Sequence, residues 1–185
     1  MAFKREATID DLRRVPDGGK AEIVGGQLVL MTPTGCRHGY AIGEVFVSLR
    51  DYARRTKRGI AFGDNVGFIV ELPNRRSFSP DAAFWTGGPV TADFLKGAPI
   101  FAVEVPSPDD YGEAAERAMA AKRADYFAAG TTVVWDVDVL RAEVVHVYRA
   151  DSPTAPTTGR GEQAEAEPAL PRWSMSVADL LPDFS

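Results

Sequence analysis

Glu104 is the only charge in Ile100-Phe101-Ala102-Val103-Glu104-Val105, a run whose apolar character suits a strand buried on both faces. An isolated carboxylate is expensive to bury. This acid must therefore be paired, metal-bound, protonated, or at the strand's exposed end before Pro106. Asp81 opens a second apolar segment, Asp81-Ala82-Ala83-Phe84-Trp85, directly after Ser79-Pro80; alone it reads as a strand-start or turn aspartate. Lys122 lies near the middle of a helical stripe of Ala115, Ala118, Met119, Tyr126 and Ala129, with Arg117 and Arg123 off its centre. A lysine there either snorkels to solvent or points over a sheet at a carboxylate. Two acids on neighbouring strands with a lysine above them suit metal-assisted phosphodiester hydrolysis. The acids hold a hard divalent cation that polarises the phosphate and lowers the pKa of a bound water. The lysine orients that water or stabilises charge on the phosphoryl oxygens.

Composition narrows the choice of metal. One cysteine, Cys36, and two histidines, His38 and His146, exclude an internal disulfide framework, a multi-cysteine zinc site and a histidine-rich centre. Oxygen ligands remain, which favours Mg²⁺, Mn²⁺ or Ca²⁺. There is no Walker loop and no dinucleotide-binding glycine motif. Cys36, beside Arg37 and His38, has no identifiable acid or amide partner that would make it a nucleophile. No apolar run approaches the roughly 20 residues that span a bilayer, and the charged first ten residues carry no signal-peptide core. A cytoplasmic setting without a membrane partner is expected. The net charge of −5 argues against a nonspecific polycation-type nucleic-acid binder. Basic residues nevertheless concentrate in the first 80 positions, most densely at Arg50, Arg54, Arg55, Lys57 and Arg58. That cluster reads either as a solvated helix end complementing its dipole or as a phosphate-facing surface.

The chain length suits one compact domain, residues 1–185. A short helix is predicted at 8–14, capped by Thr8 and ended by Pro16-Asp17-Gly18-Gly19. Segments 21–24 and 27–31 flank Gly25-Gly26, a primed-turn hairpin signal. Ile42, Val45, Phe46, Leu49 and Ala53 predict an amphipathic helix over about 40–55. Strands follow at 67–72, 81–85 and 100–105, then a second long helix at about 112–129 that stops at Gly130. Two more strands, 132–137 and 143–149, are joined by a tight turn at 138–141. In that pair Asp136 and Asp138 are expected to face away from the core or begin the turn, and His146 to be satisfied or exposed. Residues 151–168, rich in Pro, Thr, Gly, Ala and Glu, predict a mobile loop after a core of about 15–150. A closing segment, 169–185, returns to apolar character from 173 to 181. The order predicts a mixed α/β fold, a central sheet with two major helices.

Several stretches carry a resemblance. Glu22-Ile23-Val24-Gly25-Gly26-Gln27-Leu28, Met31-Thr32-Pro33-Thr34 and Ser79-Pro80-Asp81-Ala82-Ala83-Phe84 are the first three. Ala102-Val103-Glu104-Val105-Pro106-Ser107-Pro108, Lys122 through Tyr126 to Ala129-Gly130, and Val134-Trp135-Asp136-Val137-Asp138 follow in order. Together they resemble the Uma-two restriction endonuclease family from about residue 15 to 181, and that family is similar to the PD-(D/E)XK nucleases. The resemblance implies a restriction-endonuclease-like mixed sheet flanked by helices, with Asp81 as the motif aspartate and Glu104 as the motif acid. The simplest motif puts a lysine where Pro106 stands; the family pattern moves it to the following helix, at Lys122. It also implies that Glu22 holds the early acidic position, as a further metal or water ligand or as a solvent-facing hairpin residue. His38 matches a histidine before the first long helix, in substrate contact or in helix-start packing. Gly25 replaces the acid usual before the hairpin glycine.

The expectation is therefore a nuclease-like domain using Mg²⁺ or Mn²⁺ to cut nucleic acid, most readily DNA. Asp81 and Glu104 would bind metal, Lys122 would act on water or developing charge, and Glu22 would assist. His38, Arg54, Arg55 and Arg58 are the candidate substrate contacts, and a homodimer would supply two sites for a duplex. Two competing readings are a non-catalytic nucleic-acid- or protein-binding module that keeps this fold, and a metal-dependent hydrolase of another phosphate ester.

Overall fold

The computed structural model describes residues 5–15, 19–152 and 154–183, so most of the turn expected at 16–19 lies outside the described residues. Helix α1 (Ile9–Arg13) is closed by a capping box. The Thr8 hydroxyl accepts from the Asp11 amide, and the Asp11 carboxylate accepts from the Thr8 amide. Strands β1 (Ala21–Val24) and β2 (Gln27–Leu30) form the expected hairpin. Its turn places Gly25 and Gly26 at φ of 56° and 70°, the left-handed pair a primed turn demands.

Helix α2 (Cys36–Thr56) starts four residues earlier than the apolar spacing predicts, because Gly35 caps it and Gly39 is accommodated inside it. Ala41, Ile42, Val45, Leu49 and Tyr52 form its buried stripe. Then come β3 (Ile60–Phe62), β4 (Phe68–Ile69), β5 (Ser77–Phe78), β6 (Ala82–Trp85), β7 (Leu95–Lys96) and β8 (Phe101–Glu104). Helix α3 (Glu113–Ala128) crosses to β9 (Val133–Asp138), and β10 (Val144–Arg149) and β11 (Thr157–Gly159) complete a six-stranded sheet ordered β11-β10-β9-β8-β6-β3. Only β8 and β9 pair in parallel there, and α3 is the crossover such a pair requires. The result is the predicted mixed α/β architecture.

Side-chain alternation gives the sheet two faces. On one, Phe84, Phe101, Val103, Trp135 and Val137 pack under α2 together with Leu170, Trp173 and Leu180. On the other, Ala83, Trp85, Ala102 and Val134 meet Tyr126 of α3 and Phe68, Phe78 and Leu95 of a small sheet ordered β5-β4-β7. Gly59 leads into β3, where an added Cβ would stand 2.4 Å from the Trp85 carbonyl oxygen and 2.5 Å from the Phe84 ring. Gly59→Ala is expected to lower stability by about 2 kcal/mol, because backbone cannot give way as a side-chain tip can; urea denaturation measures it.

Two expectations need correction. Residues 151–168 are not a structureless loop: β11 pairs with β10, and β12 (Gln163–Glu165) pairs with β13 (Ser174–Ser176). Ala164 and Ala166 are buried in the core, so a segment poor in large apolar residues is ordered by backbone pairing and two small side chains. The α3 stripe also differs. Ala118 is exposed, and Arg123 and Tyr126 are the buried residues of that helix, so α3 approaches the sheet through polar ends and not through alanine.

Candidate functional site

The register of β6 on β8 pairs Ala82 with Val103, and one step further Asp81 comes opposite Glu104. Residues opposite one another in an antiparallel pair share a face, so this backbone pairing alone brings the two acids together. The Asp81 amide donates to the Val103 carbonyl at 3.1 Å, and the Val105 amide returns a hydrogen bond to Asp81 Oδ2 at 2.8 Å. Both acids are buried. Lys122 does not snorkel. Its Nζ lies 2.8 Å from Glu104 Oε2 and 3.0 Å from Glu22 Oε1, bridging α3 to both.

Glu22 is buried in β1 and does not face solvent. Its Oε1 accepts the Ser79 amide at 2.8 Å, and its Oε2 pairs with Arg75 Nη1 at 2.5 Å. Arg75 in turn holds Asp125 of α3 through Nε at 2.8 Å. The Tyr126 hydroxyl donates to Glu104 Oε1 at 2.6 Å while its ring stacks on Phe78, centroids 4.0 Å apart. The helix is therefore pinned over the acids at Lys122, Asp125 and Tyr126.

Residues not singled out from sequence complete the cluster. Lys20 Nζ is 2.5 Å from Asp81 Oδ1 and 2.7 Å from Asp64 Oδ1. The period-2 spacing of Lys20 and Glu22 was the available signal, since it puts both on one side of the extended backbone. His38 is buried at the start of α2 with Nε2 3.5 Å from Asp81 Oδ2, and its Nδ1 has no hydrogen-bond partner among the described residues. Arg75 is a buried structural cation.

Electrostatics divides the two acids. Burial works against ionising Asp81, but His38, Lys20 and the Val105 amide outweigh it and hold the carboxyl well below the usual range. Glu104 is pushed up to about 7, by burial first and by the negative Asp81 and Glu22 beside it, against the pull of Lys122. Glu22 stays lowered, since Lys122 and Arg75 overcome its burial. Lys122 is raised: burial opposes its charge, but Glu104 and Glu22 more than compensate.

The donor set suits a hard cation. Five carboxylates, Glu22, Asp64, Asp81, Glu104 and Asp125, meet three fixed cations, Lys20, Arg75 and Lys122. With every acid ionised the cluster is two positive charges short, which adds to the burial that raises Glu104. Among the described residues no three His, Cys, Asp or Glu side chains gather as a metal-ligand set. Two carboxylates completed by water and substrate oxygens are, however, what Mg²⁺ commonly takes.

Other candidates fall elsewhere. Arg54, Arg55 and Arg58 are exposed at the far end of α2, with Arg55 over the Tyr52 ring. At 1.5 Å per residue, Arg54 is about 24 Å along that helix from His38. Asp138 begins the turn as expected, accepting the Leu140, Arg141 and Ala142 amides. His146 Nδ1 meets Thr157 Oγ1 at 2.9 Å, and Cys36 is exposed and unpaired. Asp136 corrects its expectation: it is buried beside Glu104 in the β8–β9 register and paired with Arg123 of α3. Burial nonetheless pushes it up to about 6. The sheet under α3 therefore carries Asp81, Glu104 and Asp136 on three successive strands.

Comparison with solved structures places this fold beside one described as a "putative nuclease belonging to DUF820" from Anabaena variabilis ATCC 29413. The TM-score is 0.76 at 17% identity, over 94% of this chain and 97% of that one. A comparison with curated proteins finds no match. No helix among the described residues is long and apolar enough to cross a membrane. The family described as "Putative restriction endonuclease", Uma2, matches residues 9–178, nearly the whole sequence that builds the sheet, the acid pair and the lysine above it, and the chain belongs to that family.

Proposed function

We propose that this protein is a nuclease that hydrolyses phosphodiester bonds in DNA with Mg²⁺ or Mn²⁺ held at Asp81 and Glu104. The observation that carries the reading is the Lys122 ammonium, reaching from α3 to within 2.8 Å of Glu104 where that acid faces Asp81 across β6 and β8. Membership of the family described as "Putative restriction endonuclease" supports it and favours DNA.

Asp81, ionised throughout the neutral range, and Glu104 would hold the cation, which supplies a more acidic water and neutralises phosphoryl charge. Lys122 would orient the attacking water or stabilise charge on the phosphoryl oxygens. Glu22 keeps Lys122 in position and is itself clamped by Arg75 and the Ser79 amide. His38, against Asp81, borders the site on the α2 side. Arg54, Arg55 and Arg58 would touch backbone phosphates well away from the bond cut. A homodimer would present two sites to the two strands, and a cytoplasmic setting fits the unpaired Cys36.

Isothermal calorimetry tests the centre. Mn²⁺ and Mg²⁺ should bind the wild type, with or without a DNA oligomer, and binding should vanish in Glu104→Ala. Absence of binding in the wild type would replace this reading with the non-catalytic module.

A further inference from the structure

We propose that Lys20 is a built-in competitor for the divalent cation, occupying Asp81 until the ion displaces it toward Asp64. The inference rests on the metal reading above and adds a residue that controls affinity at that site.

The two lysines of the cluster are held differently. Lys122 lies between two buried acids, Glu104 and Glu22, and projects from a regular helix. Lys20 precedes β1 in irregular backbone and pairs with one buried acid, Asp81, and one exposed one. The Asp64 side chain is 43% exposed, against 6% for Asp81. The remaining Asp81 oxygen is already committed to the Val105 amide. A cation approaching Asp81 therefore meets its other oxygen, Oδ1, with an ammonium on it at 2.5 Å. Asp64, 2.7 Å from the same Nζ, gives that ammonium a second anchor nearer solvent. Lys20 can leave its buried acid and keep a partner nearer solvent, whereas both partners of Lys122 are buried.

The arrangement has a thermodynamic signature. If the ammonium occupies Asp81 about nine-tenths of the time, the apparent dissociation constant of the metal is raised about tenfold. Removing the amine restores that factor. Asp64 acts in the opposite sense, because it stabilises the displaced lysine, and it acts only while the lysine is there.

Mn²⁺ calorimetry on wild type, Lys20→Met, Asp64→Asn and the double variant reads all three effects, with thermal melts confirming that each is folded. Lys20→Met is expected to bind about tenfold more tightly, and Asp64→Asn several-fold more weakly than wild type. In the Lys20→Met background Asp64→Asn should change nothing. A simple field effect of the two charges would instead be additive, and additivity overturns the proposal. So does an affinity that Lys20→Met leaves unchanged or weakens. Failure of every variant and the wild type to bind would remove the metal reading itself and this inference with it.

Discussion

Asp81→Asn is expected to lower DNA cleavage by about a thousandfold while leaving the protein folded. The substitution is nearly isosteric. The asparagine carbonyl can still accept the Val105 amide that Asp81 Oδ2 accepts now, and Lys20 retains Asp64. Burial of the side chain becomes easier, since a neutral amide carries no desolvation penalty comparable to that of a carboxylate. What disappears is the one acid of the pair that is fully ionised at neutral pH. Glu104 alone, with its two oxygens engaged by Lys122 and the Tyr126 hydroxyl, is too poor a site to hold a divalent ion there. Nicking of supercoiled plasmid in Mg²⁺ or Mn²⁺, beside a thermal melt, checks both halves. Cleavage at the wild-type rate would remove Asp81 from the mechanism.

The second large effect concerns stability. Lys122→Met in metal-free buffer should destabilise the protein by about 3–5 kcal/mol at pH 8, the usual penalty for stripping one partner from a buried ion pair. Glu22 would keep Arg75 and the Ser79 amide, but Glu104 would keep only the Tyr126 hydroxyl. The effect carries a pH sign. The folded-state value of Glu104 is raised from 4.5 to about 7, so folding favours its protonated form. Its contribution is fully present below 4.5 and is lost as pH rises through the folded value. Without Lys122 that value climbs further, and the variant goes on losing stability above pH 7 after the wild type has levelled. The gap in urea-denaturation free energy should therefore be wider at pH 8 than at pH 6. An equal gap at both values would mean that Lys122 does not neutralise Glu104, and a negligible one that the lysine is mere surface.

Glu104 and Lys122 were legible because each disturbs a pattern; Asp81, ordinary alone as a strand-start aspartate, was legible only in combination with them and through the family resemblance. A charge inside an apolar strand run and a lysine inside a helical stripe both ask for partners, and the register of β6 on β8 supplies them. Lys20 and Arg75 disturb no pattern, since a basic residue near a turn is ordinary. Their partners lie 61 and 53 residues away, a distance periodicity does not span. Asp136 misled for the opposite reason. Alternation with valine and tryptophan suggests a solvated face, whereas that face is covered by α3 and met by Arg123. The loop expected over 151–168 failed because composition reports what side chains can bury and says nothing of backbone hydrogen bonds that an edge strand offers.

The late strands and the residues after them have a bearing on synthesis. Phe101 and Trp135 are covered by Leu170 and Trp173, the two tryptophan rings lying 4.9 Å apart, and Trp173 bonds back to Ser48, 125 residues earlier. A nascent chain that has emerged only through β10 has α2 over part of this face but lacks the residues that cover Phe101 and Trp135. Contacts of such separation also form slowly. The ribosome must deliver almost all of the described chain before that face is sealed, and apolar surface left open until then is the kind that favours aggregation.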